Sequence, residues 1–172
     1  MKSPLIILGA LAVAVGMYFL LGTNQSNEGR VTDYKDATYY ISGNPVRLGQ
    51  GGVTYFGNEV TGDLDKDGDL DIAFLITHEP GGSGTFFFLA GAIKEEGGYR
   101  GTQAMLIGDR IAPQTTEFRD GLVLINYADR LPLEPMTAKP SQGKSLYAKY
   151  SPDTNDFGEV VQNFEGESAS GR

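Results

Sequence analysis

The sequence contains no cysteine. Disulfides, thiolate zinc sites, cysteine nucleophiles and a lipid anchor through an acylated cysteine are therefore excluded. Positive charge is also scarce: 14 Lys and Arg face 22 Asp and Glu, a formal charge of -8. Such a field repels phosphate backbones, so nucleic acid is not an expected partner. There is one histidine, His78, beside Glu79 and before the Pro80–Gly84 turn. With no second histidine and no serine or cysteine nucleophile motif, His78 reads as a loop residue rather than a catalytic base. No motif recurs, so this chain alone does not build a repeat propeller or solenoid.

What is present begins with an apolar run. Pro4 to Gly22, PLIILGALAVAVGMYFLLG, holds 19 residues without a charge; as a helix it spans about 28 Å, close to a hydrocarbon core. A cleaved signal peptide is the competing reading. Its best small-x-small match, Ala12-Val13-Ala14, lies mid-run, and Leu20-Leu21-Gly22 puts leucine where a small residue is wanted. Residues 1–22 are therefore read as a single-pass membrane anchor. Lys2 favours a cytoplasmic N-terminus and an extracytoplasmic main domain, against the weaker opposing pull of Arg30 and Lys35. Ala12 and Gly16 form a small-xxx-small pair through which two such helices could associate as a homo-oligomer.

Residues 23–36 are polar and read as a linker. From 37 to 150, short apolar runs alternate with turn residues, and 24 glycines, nine tyrosines and nine phenylalanines suit an all-β body. The expected fold is a small antiparallel β-sandwich or open barrel. Strands are expected near 37–41, 45–48, 53–61, 70–77, 85–93, 102–108, 115–127 and 145–150. The Asp120-Gly121 dipeptide splits 115–127 into a hairpin. Thr85 to Leu89, TFFFL, is apolar on both faces and belongs at the centre of a sheet covered on both sides. Gly81 to Gly84 reads as a hairpin connection and 131–143, with three prolines, as a surface loop. Asp109-Arg110 and Asp129-Arg130 read as surface ion pairs. Residues 151–172 are polar and acidic and read as a largely disordered tail.

The most specific pattern is Asp63-Leu-Asp65-Lys-Asp67-Gly68-Asp69-Leu-Asp71, five aspartates at alternate positions with a glycine among them. Gathered without a counter-ion, these charges repel. A hard cation such as calcium takes six to eight oxygens and removes that repulsion. Asp63, Asp65 and Asp67 fall at ligand positions one, three and five of a calcium loop, Gly68 at the turn, Asp69 at the carbonyl position and Asp71 at position nine. An EF-hand is excluded, because Phe74 stands where the bidentate glutamate belongs and strands flank the loop. Magnesium, which prefers strict octahedral geometry and keeps its waters, fits less well.

Phe56-Gly57, Val60 and Gly62-Asp63-x-Asp65-x-Asp67-Gly68-x-x-Asp71 resemble, in order and spacing, the calcium loop of the FG-GAP repeat found in integrin-type propellers. The resemblance covers about 25 residues and implies a strand-loop-strand calcium site. In it Asp63, Asp65, Asp67 and Asp71 give side-chain ligands and Asp69 its carbonyl. Thr77 to Gly81 replaces the Gly-Ala-Pro element that follows in the family, and sister repeats are lacking, so one loop is implied and not a propeller. The functional expectation is a non-enzymatic, calcium-stabilised domain held at a membrane, binding an envelope protein or polysaccharide. An assembly subunit associating through the apolar helix is one alternative. An envelope-polymer hydrolase using Glu59, Glu79 or Asp109 is the other.

Overall fold

A computed structural model describes residues 31–161. The chain forms β1 (Tyr39–Ile41), β2 (Asn44–Val46), β3 (Val53–Gly62), β4 (Asp71–His78), β5 (Phe86–Glu95), β6 (Gly98–Gly101), β7 (Met105–Asp109), β8 (Ala112–Arg119), β9 (Leu122–Asp129), β10 (Gln142–Ser151) and β11 (Asp156–Glu159). The protein is all-β with antiparallel sheets. One sheet runs β3-β4-β5-β6 with β7 also on β5, a second runs β11-β10-β9-β8, and β1 and β2 form a separate hairpin.

β5 lies at the centre, as its apolar run requires. Phe87, Leu89 and Ile93 face the second sheet and share a core with Val123, Ile125, Leu146, Ala148 and Phe157. The alternate residues Phe88, Ala90 and Ala92 face the other way, against Tyr39, Ile41 and Ala37 of the β1 region. Period-two alternation thus serves two cores, one on each side of a single strand. The hairpin expected at Asp120-Gly121 is present: Arg119 pairs with Leu122, and both turn residues have positive φ, 53° and 74°, the geometry that matches strand twist. His78 pairs with Phe86 across the Gly-rich turn.

Three stretches depart from the sequence reading. Residues 31–36, read as the end of the linker, belong to the domain: Val31 bridges Tyr99, and the Tyr34 ring meets Phe74 edge-on at 5.3 Å. The β6 strand was not expected, since GYRG lacks alternation; it forms because Lys94 and Ile93 of β5 supply partners in register for Tyr99 and Arg100. The tail reading fails for residues 151–160. Here β11 pairs with β10, Phe157 is only 6% exposed, and Val160 donates to the Tyr147 carbonyl at 2.7 Å. One phenylalanine on a short acidic segment is enough when a ready edge waits beside it. The apolar run 4–22 and the end of the tail lie outside the described residues. Among the described residues no helix is long and apolar enough to cross a membrane.

Candidate metal centre

The acidic loop connects β3 to β4. Leu64 points into the core between the two larger sheets, which leaves its neighbours Asp63 and Asp65 on the opposite side. The backbone then turns through Lys66 (φ 68°) and Gly68 (φ 97°), and Gly68 takes this left-handed conformation without a Cβ penalty. The Gly68 N–H returns to Asp63 Oδ2 at 3.2 Å and closes the loop.

The loop brings three of the five aspartates together. One carboxylate oxygen each from Asp63, Asp65 and Asp71 lies within 4.8 Å of the others. Asp67 and Asp69 are exposed and stand outside this trio. The Asp67 carboxylate instead accepts the Asp69 N–H at 2.8 Å, and Asp65 accepts the Asp67 N–H at 3.2 Å.

Asp71 is fully buried. Its Oδ2 accepts the Leu64 N–H at 2.8 Å and its Oδ1 accepts the Lys94 N–H at 2.7 Å, so one side chain ties the loop, β4 and β5. Asp63 Oδ1 is buried and has no hydrogen-bond partner. An orphaned carboxylate oxygen in such a place is unfavourable, and a hard cation would satisfy it together with the free lone pairs of Asp65 and Asp71.

The electrostatics point the same way. Burial pushes the Asp65 carboxyl above its ordinary value, with Asp67 and Asp63 adding repulsion against the opposing Asp67 N–H. Burial also raises Asp71, against the Lys94 and Leu64 N–H bonds. A carboxyl whose folded pKa exceeds its unfolded value favours the folded state when protonated. In calcium-free buffer, then, stability should fall as pH rises from the unfolded value of 3.8 through the raised folded values. Asp109, held low first by its bond to Arg110, and Asp129, held low first by Lys144, act oppositely, but their stabilisation is lost only as pH falls below 3.8. Melting temperatures of calcium-free protein should therefore decline as pH rises above 3.8 at these two loop sites' expense, and Asp65→Ala should flatten the decline; an equal slope in the variant would count against this reading.

The other residues singled out by sequence are occupied. Asp109 pairs with Arg110 at 3.0 Å and accepts the Thr85 N–H at 3.1 Å. Asp129 pairs with Lys144 at 2.7 Å rather than with the Arg130 guanidinium. Arg130 instead donates to the Ala138 carbonyl at 2.8 Å and the Arg110 carbonyl at 2.9 Å, so the two Asp-Arg dipeptides do meet. Glu79 accepts the Thr85 hydroxyl at 3.0 Å, Glu59 accepts the Tyr55 hydroxyl, and the His78 ring lies 6.5 Å from that of Phe88. No protein-family model, curated protein or solved structure matches the chain.

Proposed function

We propose that the chain is a non-enzymatic, membrane-anchored extracytoplasmic β-sandwich domain, stabilised by one calcium ion at the 63–71 loop and serving a binding or structural role in the cell envelope. The observation that carries the reading is the convergence of Asp63, Asp65 and Asp71 beside a buried oxygen that has no donor. The order of residues around the loop, similar to the FG-GAP pattern, supports calcium. The uncharged run of residues 4–22 supports the anchor.

The loop connects through two strands to the start of the described residues: Asp71 accepts the Lys94 N–H, Lys94 pairs with Tyr99, and Tyr99 bridges Val31.

Two measurements test the two halves. The protein should stay in the membrane fraction through a carbonate wash, whereas a mature N-terminus at Thr23 or later would contradict anchoring. Lys66 is exposed at the loop's tip, so trypsin should cut after it in chelator and much more slowly in calcium. Cleavage at one rate in both would contradict ion binding there.

A further inference from the structure

A second site is built on the opposite sequence segments, where β1 meets β6. A recess of about 240 Å³ is lined by Thr38, Tyr40, Tyr99, Arg100, Gly101 and Asn155. That is below the roughly 300 to 1,000 Å³ of sites for drug-sized ligands, and suits one small ring. We propose that this recess binds a single uncharged pyranose unit, with the Tyr40 ring as its apolar face and Arg100 and Asn155 as the polar groups that meet its hydroxyls.

The chemistry follows from how the floor is held. Arg100 Nε donates to Glu95 at 2.6 Å, and Arg100 Nη1 donates to Asn155 Oδ1. The guanidinium has five N–H donors in a rigid fork, so donors remain for a ligand while Glu95 balances the charge. With Glu95 already paired to Arg100, the recess offers no net positive charge to a phosphate or carboxylate, and hydroxyls are left as partners for its remaining donors. The Tyr40 ring with its polar tip supplies the other half, since a sugar ring presents C–H faces and hydroxyl edges.

Asn155 is the keystone. It sits in the left-handed region at φ 53°, accepts the Tyr150 hydroxyl at 2.9 Å, donates Nδ2 to the Gly101 carbonyl at 3.2 Å and accepts the Gln103 N–H on its own carbonyl at 2.9 Å. One strained residue of the β10–β11 turn therefore fixes the edge of the other sheet, an arrangement that preorganises Arg100 at the price of backbone strain. The wall is equally constrained: a Cβ on Gly101 would lie 2.2 Å from the Thr38 carbonyl oxygen. Tyr40, by contrast, is 37% exposed and belongs to neither buried cluster, so its ring is available and not needed by the core.

The proposal gives a chemistry to the envelope partner and rests on the preceding reading only for where the sugar comes from. Its test involves neither calcium nor membrane retention, so the two fail separately. The full chain, in a detergent without a sugar headgroup, is mixed with methyl glucoside, methyl galactoside, N-acetylglucosamine, glucuronate or inorganic phosphate, and followed by saturation-transfer and amide-shift NMR. At least one neutral sugar should bind with Kd on the order of 1 mM and shift the amides of Thr38, Arg100, Gly101 and Asn155. Tyr40→Ala should weaken it about fivefold to tenfold while Tyr40→Phe keeps it. No neutral sugar bound, shifts confined elsewhere, preference for glucuronate or phosphate, or unchanged binding in a folded Tyr40→Ala protein would each overturn the proposal. The wild-type shifts decide the matter even if that variant fails to fold.

Discussion

Calcium at about 100 times its dissociation constant is expected to raise the melting temperature by about 8 °C over chelator. Mass action gives about 2.7 kcal/mol for a ligand bound by the folded state alone, and a chain of this size moves by about 2 to 4 °C per kcal/mol. The cause is the loop's own repulsion: folding brings carboxylate oxygens of Asp63, Asp65 and Asp71 within 4.8 Å, and the ion removes a penalty that the open chain does not carry. Asp65→Ala should act in two directions at once. Without calcium it should raise the melting temperature, because Asp65 is the carboxyl that burial and the neighbouring Asp67 and Asp63 resist ionising. With calcium it should show little further rise. Thermal scans of both proteins in calcium and in chelator check this; a variant that responds to calcium as the wild type does would contradict it.

Asp71→Ala should cost about 3 to 5 kcal/mol in chelator, and more in calcium, whose contribution the variant also loses. The side chain is fully buried, and its removal leaves the Leu64 and Lys94 N–H groups without their acceptor in a place water does not easily reach. Each hydrogen bond to a charged group is worth about 1.5 to 3 kcal/mol, and orphaned buried donors add to the loss. Asp71→Asn keeps one acceptor oxygen and should cost less. Urea titration gives both values. A loss under about 1 kcal/mol for Asp71→Ala would mean that the latch between loop and β5 does not hold the fold.

These two aspartates also mark how far the sequence could be read. Alternation and Gly68 located the loop, but the calcium-loop pattern implies that the carboxylates of Asp63, Asp65, Asp67 and Asp71 all converge, with Asp69 turned in by its carbonyl. They do not, because the turn at Lys66 and Gly68 carries Asp67 and Asp69 outward while Leu64 anchors Asp63 and Asp65 from below. The structural duty of Asp71 was hidden because its partner Lys94 is 23 residues away, on a strand whose pattern says nothing about that bond. Long strands with their own alternation or apolar run, such as β5 and the β8–β9 hairpin, were legible. β6 and β11 were not, since each is four residues long and owes its form to a neighbour's open edge. The recess floor was hidden for the same reason: Arg100 and Asn155 meet across 55 positions.

The most direct test of the calcium reading is titration calorimetry of the calcium-free chain. One ion per chain should bind, with affinity sufficient for occupancy at the roughly 0.1 to 1 mM typical of extracellular modules, and Asp63→Ala or Asp65→Ala should abolish the signal. No heat of binding in the wild type, together with identical melting in calcium and chelator, would contradict the account and leave residues 63–71 an acidic turn held by Asp71, Leu64 and the loop's own hydrogen bonds.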